Sequence, residues 1–324
     1  MDTFKIIGAL PMSERIAVLK KEMLDESRYA TIEQARIITK SYRQTEEQPR
    51  CIQRAKALKA ALEEMTIRIE PHERIVGNRT PGVRGGVVFP ETGASWVDRE
   101  FETLPTRPQD RFQIHQEDVA EFRSEILPYW QGRSLEDRVR EAVGPQVDSI
   151  SKVVKINQKD HSQGHICPNT RKWLALGPDG IRRQALGHMA GAAGKQKDFY
   201  ESVVVTRGGA CRFISRYAEL ARSMYEQTGR ENLREVAEIC KKLAVSPAQT
   251  YQEAVQAVWF LYVILQMEGN ASSFSPGRMD QYLYPYFTHS RAQGMTLEDA
   301  LEITDGAKGS LRFLPQRASR AFQE

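Results

Sequence analysis

Residues 251–267 read YQEAVQAVWFLYVILQM, and this stretch decides the fold class. Val255, Val258, Trp259, Leu261, Tyr262, Ile264 and Leu265 recur at helical spacing yet cover most of the circumference, so the spacing predicts a central helix packed on several sides. A second long helical stretch runs over 199–225 and contains Gly208-Gly209. Each Gly costs about 1 kcal/mol relative to Ala inside a helix, which predicts a close helix contact or a local break at that pair. Nearer the N-terminus, Ile32, Ala35, Ile38 and Tyr42, then Ile52, Ala55, Leu58, Ala61, Leu62 and Met65, predict two helices within 28–65, separated at Gln48-Pro49. Residues 117–130 and 134–143 also read as helix, the latter with Ser134 as N-cap and Asp137 three residues on. Between these blocks the pattern changes. Ile75-Val76-Gly77-Asn78 and Gly85-Gly86-Val87-Val88-Phe89-Pro90 are short β-branched runs punctuated by Gly and Pro, and they predict two short strands joined by a turn. The fold class expected is mainly α with short strands.

The remaining composition narrows the function. Across 324 residues, 46 Lys+Arg face 42 Asp+Glu, and this net charge of +4 is mixed along the chain with no basic stripe, which disfavours nucleic acid. The longest apolar run, residues 257–265, is far short of the roughly 20 residues that span a bilayer. Residues 1–11, MDTFKIIGALP, lack a basic n-region and a long apolar core, so a cytoplasmic chain is expected. Cys51, Cys167, Cys211 and Cys240 form no C-x-x-C pair and read as reduced, mostly buried thiols, not metal ligands.

Two polar clusters are candidates for chemistry. Residues 157–168, NQKDHSQGHICP, hold two of the six histidines, and Gly164 and Pro168 make the segment a loop. Such a loop can line a pocket with acid/base groups or can be a solvated surface loop. His161 and His165 stand four apart, but Gly164 and Pro168 disfavour the helix that would set them on one face for a metal. Residues 268–282, EGNASSFSPGRMDQY, follow the central helix; Ser272 and Ser273 there can cap a helix or face a pocket. Arg278 and Asp280 predict a structural salt bridge under an aromatic lid of Tyr282, Tyr284, Tyr286 and Phe287. No Ser/His/Asp triad or paired-carboxylate arrangement follows from spacing.

Four motifs occur in order: Arg74-Ile75-Val76-Gly77-Asn78-Arg79, Thr106-Arg107-Pro108-Gln109-Asp110-Arg111-Phe112, Gln163-Gly164-His165-Ile166, and residues 273–286, SFSPGRMDQYLYPY. Together they resemble the N-terminal region of the glycyl radical enzymes, the pyruvate formate-lyase and glycerol/diol dehydratase family, from about residue 12 to about residue 303. The resemblance implies part of a ten-stranded α/β barrel wrapped in helices, incomplete in this chain. It implies a pyruvate formate-lyase-like region over 1–303, and residues 304–324 read as a divergent, frame-shifted tail.

The family's radical cysteine sits in a Gly-Cys-x-Glu context and its radical glycine in Arg-Val-x-Gly-Tyr-Ser; neither context occurs here. By resemblance, His165 contacts substrate and orients or protonates the leaving group, and Asp160, His161, Gln163, Ser272 and Ser273 shape the pocket. Ser272 stands where the glycerol dehydratase branch has a second histidine, which disfavours glycerol. Gln163-Gly164-His165 lacks the arginine by which pyruvate formate-lyase clamps a carboxylate, which disfavours pyruvate.

The function implied is therefore a dehydratase- or lyase-type glycyl radical enzyme. It would cleave a C–O, C–N or C–S bond of a small polyol, amino alcohol or sulfonate, and these 324 residues alone would be inactive. The alternatives are part of a formate acetyltransferase or a non-catalytic, partner-binding remnant. The resemblance implies no bound metal. The glycyl radical of the family is installed by an S-adenosylmethionine iron-sulfur activating enzyme, and a homodimer or a chain that completes the barrel is the other partner implied.

Overall fold

The computed structural model describes residues 13–108, 110–154, 166–270 and 274–313. The described residues open with α1 (Glu14–Asp25), capped by the Ser13 hydroxyl, which accepts a hydrogen bond from the Ile16 amide at 3.3 Å. Strand β1 (Tyr29–Thr31) follows, then α2 (Glu33–Arg43) and α3 (Arg50–Glu64), with the break at Pro49 as expected from the sequence. Strand β2 (Gly85–Val87) precedes α4 (Ala94–Glu100). Helix α5 (Gln116–Glu121) runs through a π-helical turn (Phe122–Ile126) into α6 (Leu127–Trp130). Helices α7 (Leu135–Val143) and α8 (Gln146–Ser151) come next.

The second half is built from longer helices: α9 (Thr170–Met189), α10 (Gly194–Thr228), α11 (Glu231–Leu243) and α12 (Tyr251–Gly269). Three more, α13 (Met279–Tyr282), α14 (Tyr284–Ala292) and α15 (Leu297–Phe313), complete the described chain. The expectation of a mainly helical chain with short strands holds. Helix α15 passes residue 304 without a break, and the Tyr251 and Thr304 hydroxyls lie 2.8 Å apart across α12 and α15.

Helix α12 is the centre of the core. Sixteen of its residues are buried, in keeping with its all-round apolar sequence. A capping box starts it: the Thr250 hydroxyl accepts from the Glu253 amide at 3.3 Å while the Glu253 carboxylate accepts from the Thr250 amide at 3.2 Å. Phe213 and Tyr217 of α10 meet Phe260 of α12 with ring centroids 5.9 and 5.4 Å apart. The Gly208-Gly209 pair turns out to be a close contact and no break. A Cβ on Gly209 would lie 3.0 Å from the Lys59 Cα of α3, whereas one on Gly208 would meet nothing within 4 Å.

Several expectations need correction. The two strands are not a hairpin: β1 and β2 pair in parallel, with Tyr29 opposite Gly85 and Thr31 opposite Val87, so residues 29–31 belong to a strand and not to the first helix. Residues 75–78 form no strand, because side chains take the place of a ladder. Gln256 of α12 accepts from the Val76 amide at 2.8 Å and donates to the Val76 carbonyl at 2.7 Å, and Trp259 donates to the Gly77 carbonyl at 3.0 Å. Helix α9 was not legible because it bends at Gly177, which adopts φ +64°, just before Pro178. The Arg278–Asp280 pair exists at 2.6 Å, but both side chains are exposed and Tyr284 faces solvent, so no aromatic lid covers them. Of the cysteines only Cys240 is buried, Cys51 and Cys211 are half-buried and Cys167 is exposed; all four are free thiols.

Candidate functional site

The described residues next in sequence to the candidate residues are the C-terminal end of α12 and the segments that begin at Ile166 and Phe274. Helix α12 ends on Asn270, which takes a left-handed conformation (φ +43°, ψ +32°) and donates its amide to the Gln266 carbonyl at 3.0 Å. Beneath this turn lies a buried polar cluster. Gln34 of α2 donates to the Met267 carbonyl at 2.7 Å and accepts from Arg79 Nε at 3.0 Å, and Arg79 Nη1 donates to the Asn270 side-chain oxygen at 2.8 Å. Gln34 and Arg79 are almost completely shielded from solvent. A buried guanidinium with charge-assisted partners on two elements holds the helix end in one geometry.

A second tie reaches the same helix end from outside. Arg54 of α3 donates to both the carbonyl and the carboxylate of Glu268, and Arg54 Nη1 lies 3.8 Å from Glu91. Burial works against the Arg54 charge, but the Glu91 and Glu268 carboxylates outweigh it and hold the guanidinium above its usual range. Burial likewise pushes the Glu91 carboxyl up, against the opposing pull of Arg54 and of the Tyr42 hydroxyl that donates to it.

The two candidate loops approach each other through their described neighbours. Ile166 and Phe274 form a parallel β-bridge, and the Ser275 amide donates to the Ile166 carbonyl at 2.9 Å. Around that bridge the Tyr262 hydroxyl donates to the Ser275 carbonyl at 2.7 Å and the Tyr282 hydroxyl to the Pro276 carbonyl at 2.9 Å. Burial, with the nearby Cys167 thiol, raises the Tyr282 phenol to about 12, so it stays a donor at neutral pH. Cys167 Sγ packs against Gly277, where an added Cβ would come within 2.8 Å of it.

Asp160, His161, Gln163, His165, Ser272 and Ser273 lie outside the described residues. Their immediate neighbours, Ile166 after His165 and Phe274 after Ser273, are the bridged pair. Sequence reasoning gave no role to Gln34, Arg79 or Asn270. One signal was available: Gln34 falls on the same helical stripe as Ile37, Ile38 and Tyr42, and a polar residue on an apolar stripe marks a buried hydrogen bond.

The sequence profile described as Pyruvate formate lyase-like matches residues 12–318. The chain belongs to this family. It is 32% identical over 290 residues to the Probable dehydratase YbiW of Escherichia coli (strain K12), an alignment covering 84% of this chain and 35% of that protein. It is 30% identical over 297 residues to the isethionate sulfite-lyase of Nitratidesulfovibrio vulgaris, covering 85% and 36%. Among solved structures, a glycyl radical enzyme from Archaeoglobus fulgidus superposes with a TM-score of 0.88 at 30% identity, covering 95% of this chain and 41% of that one.

This pyruvate formate-lyase-like chain thus has glycyl radical enzymes of the dehydratase and lyase type as its relatives, and it spans little more than a third of the length of the curated ones. Its helical architecture is the corresponding part of their fold. Among the described residues no helix is long and apolar enough to cross a membrane.

Proposed function

We propose that this chain forms the N-terminal, pocket-bearing part of a glycyl radical dehydratase or lyase that cleaves a C–O, C–N or C–S bond of a small polyol, amino alcohol or sulfonate. The observation that supports this reading is the Ile166–Phe274 bridge, which pairs the described residue that follows His165 with the one that follows Ser273. In this reading His165 orients or protonates the leaving group, a role worth about 10²–10⁴-fold. Asp160, His161, Gln163, Ser272 and Ser273 shape the pocket around the substrate. The Gln34–Arg79–Asn270 cluster acts as a positioning device for the turn that carries the serines. A radical supplies hydrogen abstraction in this family, and an S-adenosylmethionine iron-sulfur enzyme installs it.

Neither radical sequence context occurs in these 324 residues, so the chain on its own does not turn over substrate. The test is anaerobic incubation with an activating enzyme and S-adenosylmethionine, read by electron paramagnetic resonance and by product analysis with glycerol, choline, isethionate and pyruvate. No glycyl radical signal and no turnover are expected. A doublet signal on this chain, or turnover that disappears in His165→Ala, overturns the inactive reading. Ligand-observed NMR on the same samples addresses the pocket separately: binding of one of these compounds that is weakened in His165→Ala supports the assignment, and binding unchanged in His165→Ala and Ser272→Ala refutes it.

A further inference from the structure

On the flank of the fold, between α2, the start of α3 and the α6–α7 turn, lies a cleft of about 510 Å³. Its charge is unbalanced. Arg50, Arg54, Arg133 and Arg138 line it against only Glu46 and Glu91. Glu91 is committed to Arg54 and Tyr42, and burial pushes its carboxyl toward the neutral form. Glu46 is committed to Arg133. Among the described residues Arg138 pairs only with Glu141, outside the cleft at 3.5 Å, and Arg50 meets no carboxylate.

Two further features point the same way. The 15-residue helix α3 begins at Arg50 with no side-chain cap and no acidic residue in its first turn, so its positive end opens into the cleft uncompensated. The Gln48 side-chain oxygen is buried in the cleft wall with no donor among the described residues. Turned about its terminal bond, that carboxamide offers two N–H donors instead.

We propose that this cleft is a binding site for a phosphate-bearing small molecule, recognised by Arg50 and Arg138, with Arg133 held beside them by Glu46. Two arginine forks on different helices need more acceptor oxygens than one carboxylate offers, and a phosphate ester or diphosphate supplies them. The cleft volume falls within the range of small-molecule sites. Arg54 forms the inner wall but stays with its two carboxylates, so it shapes the site without recognising the ligand. None of the residues given a role in the proposed function lines the cleft, and its test does not depend on that function.

Inorganic pyrophosphate is the probe, titrated into the 324-residue chain by calorimetry at low and high salt. Saturable one-site binding is expected, weaker at high salt. Arg50→Ala and Arg138→Ala each weaken it by about ten-fold or more, and Arg50→Lys recovers part of the loss. Arg234→Ala, on the far helix α11 and paired with Glu231 and Glu238, leaves it unchanged. Arg50 and Arg138 are exposed, so both variants fold, and matching thermal melts check this. Absence of saturable binding to the wild type, or wild-type affinity in the Arg50→Ala/Arg138→Ala double variant, overturns the proposal.

Discussion

Alanine at Gly208 and at Gly209 should move stability in opposite directions. Both positions lie inside the same 35-residue helix, so each substitution gains the same helix propensity, about 0.8–1.0 kcal/mol. At Gly208 nothing lies within 4 Å of the new methyl, and the whole gain is kept. At Gly209 the methyl meets Lys59 Cα at 3.0 Å, Cγ at 3.2 Å and Cβ at 3.3 Å. The first of these is backbone of α3, a helix fixed in the core by buried Leu58, Ala61 and Leu62, so it cannot yield cheaply. Overpacking of this kind costs about 1–3 kcal/mol. Gly209→Ala is therefore neutral to destabilising by about 2 kcal/mol, and the two variants differ by about 1–3 kcal/mol. The assay is urea unfolding followed by circular dichroism at 222 nm, with midpoint and slope compared against wild type. Equal shifts of the same sign in the two variants would refute the claim that α10 and α3 touch through Gly209.

Three other outcomes are expected. Gln256→Leu strands the amide and carbonyl of Val76 in the core, at about 1–3 kcal/mol for each group, and should lower the urea midpoint more than Gln249→Leu on the surface. Burial pushes the Glu73 carboxyl up to about 7, against the Glu70 amide and Arg68, which favour its charged form. Its folded value exceeds the unfolded value near 4.3, so the unfolded state holds fewer protons between these limits; stability falls as pH rises from about 4 to 7, and Glu73→Gln should flatten that slope in pH-dependent melts. Val143, Ile150, Val153 and Val154 expose 48%, 47%, 87% and 57% of their surface, and a hydrophobic dye should bind the native chain and bind less to Val153→Asp/Val154→Asp; a dye-silent wild type would contradict this.

The central helix, its neighbours α2 and α3, the break at Pro49 and the Ser134 cap were legible because each rests on local rules. Apolar period, a proline that cannot continue a helix, and a hydroxyl that satisfies a free amide act within a few residues. The Gly208-Gly209 pair was legible as a propensity defect that needed a reason, a close contact or a break, and the structure decided for the contact. Which of the two glycines makes the contact was not, since that depends on where α3 lies against α10.

The sequence by itself determined the helical class and, through four ordered motifs, the family. Tertiary structure alone decided how those pieces meet. Ile75 to Asn78 has the composition of a strand, yet Gln256, 180 residues away in sequence, satisfies the Val76 amide and removes the need for a ladder. Gly85 to Val87 does become a strand, but its partner is Tyr29 to Thr31, a segment whose own sequence continues a helical pattern. Arg79 is buried because Gln34 and Asn270 converge on it from α2 and the end of α12. In each case the deciding partner is distant in the chain, and a backbone or charged group is buried only where such a partner arrives, because leaving it unpaired there costs more than local propensity can return.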